Sequence, residues 1–291
     1  KILKEKIFDN IWIQPAAGDA GGSLGAALAF WHHELGNSRK IKDNSMKGSY
    51  LGPEYNDQEI EEELNRIGGK FDKLNSEDFI KIVAKKLSEN KIIGWFQGRM
   101  EFGPRALGAR SILANPKSDS MQKELNLKIK FRESFRPFAP SVLREKVSDW
   151  FELNCDSPYM LLVADVKKEK QINISEKNKK LFGIEKLNLK RSEIPAVTHV
   201  DYSARVQTVH KETNQKYYDL LCEFERITGC PVLVNTSFNV RGEPIVCSIE
   251  DAFNCFMGTN LDILAIGNFI LYKEKQNEIL VKDYKNKFKQ D

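Results

Sequence analysis

The sequence predicts an α/β protein with a ligand site where apolar strands end. Three observations support this. Short apolar runs at Ile92–Phe96, Tyr159–Val166 and Pro231–Val234 read as buried strands. Leu220, Leu221, Phe224 and Ile227 form one face of a helix over Tyr217–Thr228, closed by Gly229. The strands at Ile92 and Pro231 both open into glycine, proline, arginine and small polar residues, and α/β sheets hold ligands at such strand ends.

Taken in order, Ile11–Gln14 reads as a strand end. Pro15-Ala-Ala-Gly-Asp-Ala-Gly-Gly-Ser-Leu-Gly-Ala-Ala follows, then a helix to about Leu35. A strand, a glycine-rich turn and a helix N-terminus make a natural anion or nucleotide site, because free N–H groups point outward there. Asp19, the one carboxylate of the loop, suits a helix cap or a metal ligand, and capping is the more common use of Asp at this place. His32 and His33 point in different directions on a helix, which argues against a shared metal. Asn37–Asn56 is a polar connection with Gly48, Gly52 and Pro53. Helices are expected over Asp57–Ile67, closed by Gly68-Gly69, and from Ser76, as N-cap, to about Glu89.

The strand at Ile92 leads into a segment holding Gly98, Gly103, Pro104 and Gly108 together with Arg99, Arg105 and Arg110. Glycines let a backbone approach a ligand, and arginine forks fit phosphate and carboxylate oxygens in pairs. The segment has the spacing of neither a Walker loop nor a Rossmann fingerprint. Met121, Leu125 and Ile129 form a helical stripe. It ends in Lys130-Phe-Arg-Glu-Ser-Phe-Arg-Pro-Phe-Ala-Pro140, where cations are interleaved with aromatics and two prolines keep the chain extended. That pattern suits phosphate or nucleotide binding better than a solvated charge run does.

Lys167–Arg191 reads as an exposed insertion. Pro195–Val209 reads as strand, turn and strand, with Arg205 in the second strand and His199 as a satisfied structural histidine. After Pro231–Val234 come Asn235-Thr-Ser-Phe-Asn239 and Arg241-Gly-Glu-Pro244, neutral hydrogen-bonding groups at a strand end. Ser248 and Asp251 form a capping box. A hairpin of Leu261–Leu264 and Asn268–Tyr272 closes the fold, and a Lys-rich tail is expected to fray.

Composition narrows the function. The net charge of +4 over 291 residues is small and mixed in sign, which counts against a dedicated nucleic-acid surface. No apolar run reaches the roughly 18 residues of a membrane span. The five cysteines form no zinc spacing, and with no secretory signal they are expected as reduced thiols in the cytoplasm. The chain begins at Lys1 and soon enters strand and glycine loop, as expected for the C-terminal piece of a longer polypeptide. Neither a Ser-His-Asp order nor an HExxH is visible. Arginine and lysine beside glycine and proline turns suit phosphoryl-, nucleotidyl- or acyl-phosphate chemistry, with cations stabilising charge rather than a protein nucleophile attacking.

Five stretches carry a family resemblance. They are the Pro15 glycine loop, Gly98-Arg-Met-Glu-Phe-Gly-Pro-Arg-Ala-Leu-Gly-Ala-Arg-Ser, Lys130-Phe-Arg-Glu-Ser-Phe-Arg-Pro-Phe-Ala-Pro, His199-Val-Asp-Tyr-Ser-Ala-Arg-Val-Gln-Thr-Val, and Asn235-Thr-Ser-Phe-Asn with Gly-Glu-Pro-Ile-Val. In this order they resemble the O-carbamoyltransferase family, that of nodulation protein U and the cephalosporin and tobramycin carbamoyltransferases, in its C-terminal part. The resemblance runs from about Ile11 to Tyr272. It implies two α/β modules. One is a YrdC-like twisted open sheet over residues 46–245. The other is an actin-like ATPase domain, represented by its last phosphate loop and helix in 1–45 and by a returning element in 246–291.

The activity so implied is the formation of carbamoyl-adenylate from carbamoyl phosphate and ATP, for transfer to a small-molecule hydroxyl. By motif, Arg105, Lys130, Arg136 and Arg205 would be catalytic. With Asn235 and Ser237 they would hold carbamoyl phosphate and the adenylate, and Gly21 and Gly22 would lie against the nucleotide. Asp19 would be one ligand of a divalent metal, Fe or Mg, replacing the capping role. The family's other metal ligands have no match here, so the ligand set is incomplete and the missing N-terminal half would be a partner. Two alternatives remain open, a threonylcarbamoyl-adenylate synthase and an RNA-binding module of the YrdC type.

Overall fold

The structure, a computed structural model, describes residues 2–9, 11–40, 45–175, 178, 180–187, 189–280, 284 and 288. Nine strands form one open sheet: β1 (Asp72–Lys73), β2 (Ile93–Phe96), β3 (Arg110–Ala114), β4 (Ala139–Leu143), β5 (Leu162–Asp165), β6 (Ser203–Val209), β7 (Val232–Ser237), β8 (Ile263–Ile266) and β9 (Phe269–Tyr272), in the order β1-β9-β8-β2-β3-β7-β4-β6-β5. Only β2/β8 and β4/β6 pair in parallel. The predicted α/β class is therefore present, as a mixed sheet.

Five helices of ten or more residues stand among the described residues: α1 (Asp19–Ala29), α2 (Asp57–Arg66), α3 (Ser76–Ser88), α4 (Gln215–Thr228) and α5 (Ile249–Gly258). Their ends follow local chemistry. Asn56 with Glu59 and Ser248 with Asp251 form reciprocal capping boxes at α2 and α5. Asn75, not Ser76, caps α3 by accepting from the Asp78 N–H. Gly229, at φ 69°, ends α4 in the left-handed conformation.

Trp95 of β2 lies between Phe79 of α3 and Tyr217 of α4, so these two helices cover the face that Trp95 presents. Phe96, the next residue, turns to the opposite face and meets Tyr55 and Arg110. β1 is exposed, and the core is continuous from β9 across the sheet to Ala164 of β5.

Several expectations are corrected. Ile11–Gln14 is not a strand. Pro195–Val209 holds one strand, β6, preceded by a 3₁₀ turn at Pro195–Val197. The expected boundary at 245/246 does not divide the sheet: β8 and β9 lie beyond it, and β8 pairs directly with β2. The Met121 stripe is helical, an α turn at Met121–Glu124 continuing as a π turn at Leu125–Ile129. The fraying expected of the tail falls mostly on residues outside those described. No described helix is long and apolar enough to cross a membrane.

Candidate anion-binding site

The site forms at the C-terminal end of β7. Both neighbours, β3 and β4, run antiparallel to β7, so their first residues meet its last ones. Ser111 at the start of β3 faces Ser237, and Ala139 at the start of β4 faces Asn235. The two cationic segments that precede these strands, 98–109 and 130–138, are therefore delivered to one place. Arg205 arrives from β6, which pairs in parallel with β4.

A cavity of about 160 Å3 results, lined by Arg105, Arg132, Arg205, Asn235 and Ser237, with Phe138 and Met160 as apolar wall. None of the residues lining it is acidic. Burial, followed by the charge of Arg105, pulls the Arg205 guanidinium below its ordinary value. Burial, followed by the charge of Arg136, draws Arg132 down to about 10. The charge of Arg105 disfavours that of Arg205 in this acid-free space, and an anion would relieve that.

Four of the expected residues thus meet: Arg105, Arg205, Asn235 and Ser237. Lys130 stands directly behind them. Its ammonium is buried and donates to the Ser237 carbonyl, to Ser237 Oγ (3.2 Å), and to the carbonyl and Oδ1 of Asn239 (2.8 Å each). It fixes the turn after β7 rather than facing the cavity. Burial draws it down to about 7.

Arg136 is not brought in. Its side chain is exposed and pairs with Glu133 at 2.9 Å. Arg132 occupies the place expected of it, with Nε donating to Asn126 Oδ1 (2.7 Å) and the guanidinium 5.0 Å from the Phe138 ring. Phe131 has φ 48°, a left-handed reversal that changes which way the following residues point. Counting along the sequence could not resolve this.

Of the three loop arginines only Arg105 lines the cavity. Arg110 is fully buried, 3.6 Å above the Phe96 ring, and donates to the carbonyls of Gln97, Gly98, Ala109 and Pro53. Arg99 pairs with Glu54 at the surface.

The loop that carries Arg105 is pinned from inside. Glu101, buried, accepts from the N–H groups of Leu107 (2.7 Å), Ala109 (2.7 Å) and Arg110 (3.3 Å). The Leu107 carbonyl accepts from Tyr50 (2.7 Å) and Gln207 (2.8 Å), and the Ala106 carbonyl from Asn235 (3.2 Å). Gly108, at φ 101°, lies against Tyr217, where a Cβ would come within 2.2 Å of the ring. Glu101, Tyr50 and Gln207 carry no motif signal of their own. A lone carboxylate inside an arginine-rich loop is the one clue the sequence offers to Glu101.

The N-terminal loop lies elsewhere. Asp19 is the first residue of α1, is exposed, and makes no capping bond, so the capping role is corrected. Gly21 needs to be glycine, since a Cβ would sit 2.2 Å from the Ala16 carbonyl oxygen, whereas Gly22 has open space around it. Among the described residues no three His, Cys, Asp or Glu side chains gather as a metal site.

Residues 84–273 match the family described as carbamoyltransferase C-terminus. The chain belongs to the carbamoyltransferase family. It is 58% identical over 279 residues to an uncharacterised protein of Synechocystis sp., covering 95% of this chain and 45% of that protein. It is 42% identical over 277 residues to nodulation protein NolO of Bradyrhizobium diazoefficiens, covering 94% and 46%. Against nodulation protein U of Rhizobium fredii it is 35% identical over 236 residues, covering 81% and 35%. The chain thus spans less than half the length of these relatives. Among solved structures, full-length HypF in its phosphate- and nucleotide-bound form aligns with a TM-score of 0.39 and 20% identity, over 69% of this chain and 22% of that one.

Proposed function

We propose that this chain carries the carbamoyl-activating half of an ATP-dependent O-carbamoyltransferase. The observation that supports it is the convergence of Arg105, Arg132 and Arg205 on an acid-free cavity beside Asn235 and Ser237. The three arginines hold the phosphate of carbamoyl phosphate. Water displaces that phosphate and leaves carbamate. A carbamate oxygen then attacks the α-phosphorus of ATP, pyrophosphate leaves, and carbamoyl-adenylate is formed. Both substrates are polyanions, so the arginines offset their repulsion and the charge that builds on each leaving group.

The cavity fits the small substrate, and the nucleoside extends into an adjoining cavity of about 550 Å3 that shares Pro137 and is bordered by Phe135 and His199. Lys130 holds the turn that shapes the cavity floor. Arg132 takes the role that the family motif gave to Arg136. Transfer to a hydroxyl of a small-molecule acceptor falls to parts of the relatives' length that this chain does not span.

The test is pyrophosphate release by the chain given ATP, with and without carbamoyl phosphate, for the wild type and for Arg105→Ala and Arg132→Ala. Release that requires carbamoyl phosphate and drops at least tenfold in both variants supports the proposal. A folded, ATP-binding wild type that releases none refutes it for this chain.

A further inference from the structure

His199 is satisfied at one ring nitrogen only. Ser203 Oγ donates its single proton to Asp201 Oδ1 (2.7 Å), which also accepts from the Ser203 N–H (3.1 Å). The same Oγ lies 3.1 Å from His199 Nδ1. Its proton is committed to the carboxylate, so Nδ1 is the donor in that contact and carries the ring's proton. Burial, against the pull of Asp201 and with the charge of Arg205, keeps the imidazole below its ordinary value and hence neutral at pH 7. A neutral ring protonated at Nδ1 leaves Nε2 as an acceptor. Nε2 makes no hydrogen bond among the described residues and is not sealed from solvent. The ring forms part of the wall of the cavity of about 550 Å3.

The rest of that wall decides what can meet Nε2. Phe135, Pro137 and Val200 make it largely apolar. Asp201 adds a carboxylate whose second oxygen makes no hydrogen bond among the described residues. Of the two cations in the lining, Arg191 is buried and turned to the carbonyls of Lys186 and Leu187, and Lys186 is exposed. A carboxylate and an acceptor imidazole on an apolar wall suit a neutral ring system bearing N–H or O–H groups, and they repel a phosphate chain. The phosphates then fall toward the arginine cavity, which meets this one at Pro137.

We propose that His199 Nε2 accepts a hydrogen bond from the nucleoside of ATP, from the adenine amino group or a ribose hydroxyl, and that Ser203 is the positioning residue that fixes the ring's tautomer for it. This rests on the ATP reading above. The arginines hold the phosphates of any nucleotide, so they supply affinity without choosing among nucleosides. His199 chooses because a nucleoside that lacks the donor leaves Nε2 unpaired.

Calorimetry reads this without turnover, with phosphonoacetamide, a non-hydrolysable carbamoyl phosphate analogue, present throughout. The wild-type chain is titrated with ATP, with purine riboside triphosphate, in which hydrogen replaces the adenine amino group, and with 2′-deoxy-ATP and 3′-deoxy-ATP. At least one analogue is expected to bind about tenfold more weakly than ATP. His199→Asn keeps a donor near the place of Nδ1 and removes Nε2. In that variant the weakened analogue and ATP should bind within about twofold of each other, through loss of ATP affinity, and the analogue so equalised names the donor. Equal wild-type affinity for all four nucleotides overturns the inference and leaves the ATP reading standing. Binding of none overturns the ATP reading, and the inference with it. A preference that survives in His199→Asn, with all four nucleotides weakened by one factor, refutes the selective role.

Ser203→Ala frees the tautomer and should narrow the wild-type preference, and Ser203→Thr, which restores the hydroxyl, should bring it back. A preference unmoved by Ser203→Ala refutes the positioning role. If His199→Asn fails to fold, the two Ser203 variants decide.

Discussion

Glu101 carries the most consequential prediction, because three backbone N–H groups after Arg105 converge on one of its buried oxygens. Glu101→Ala removes the acceptor of two 2.7 Å backbone bonds, from Leu107 and Ala109, and of a longer one from Arg110. A buried N–H left unpaired costs about 1–3 kcal/mol, so two of them place the loss at about 2–6 kcal/mol. That is a large part of the roughly 5–15 kcal/mol that holds a domain together. Removing the carboxylate also takes a counter-charge from buried Arg110, whose guanidinium burial already draws down to about 10. Glu101→Gln keeps an acceptor oxygen at the same place, so its loss should be less than half that of alanine.

The pH dependence separates charge from geometry. Burial raises the Glu101 carboxyl above its ordinary value of 4.5, against the pull of the N–H groups and Arg110. The folded state therefore keeps its proton to higher pH than the unfolded one does. Stability from this group is full below 4.5 and is lost as pH rises through the raised value. Urea unfolding of wild type and Glu101→Gln across acidic to neutral pH should show the wild-type advantage shrinking as pH rises. Calorimetry with phosphonoacetamide should show weaker binding to Glu101→Ala, because Arg105 loses its fixed position. An alanine variant within 0.5 kcal/mol of wild type, binding as wild type does, would refute the reasoning.

Two further predictions concern the cations. Between pH 7 and 10.5 the unfolded chain binds a proton at Lys130 that the folded chain does not, so Lys130 contributes more stability as pH rises through that window. The difference in urea stability between wild type and Lys130→Met should grow by a few kcal/mol over it; a flat difference would mean that the four oxygens around the ammonium hold it charged against burial. Arg132→Ala should weaken phosphonoacetamide binding at least tenfold, whereas Arg136→Ala, which removes an exposed arginine paired with Glu133, should change it less than about twofold. The opposite order would show that the surface run, not the cavity, takes the anion.

Much of this was legible in the sequence where a rule is local. Gly229, the Ser248–Asp251 box and the helical stripe through Met121 all stand where spacing puts them. The polar end of the strand at Pro231 also marked the site, since Asn235 and Ser237 line it. What escaped depends on pairing across the chain. Arg110 looks like Arg105 in the loop, yet it begins β3 and is turned inward onto Phe96. Arg132 lines the cavity and Arg136 does not, downstream of a left-handed backbone conformation at Phe131 that no residue preference announces. The sheet crosses the position 245/246 because β8 finds β2, a partner some 170 residues earlier, and local composition carries no trace of that.

The cavity and its scaffold carry opposite electrostatic requirements. Arg105, Arg132 and Arg205 line one small cavity before any anion arrives, and the charge of Arg105 disfavours that of Arg205. Such a cluster persists only if the chain segments that bear it are held firmly from elsewhere. Glu101 does this for the Arg105 loop, Asn126 for Arg132, and the β4–β6–β5 pairing for Arg205. Neither Glu101 nor Asn126 lines the cavity, so each holds its segment without neutralising a cation there. A carboxylate placed inside the cavity would have made the empty protein more stable and the site useless for an anion. The buried positions of Glu101 and Asn126 are what let the same residues stabilise the fold and leave three positive charges free to act on substrate.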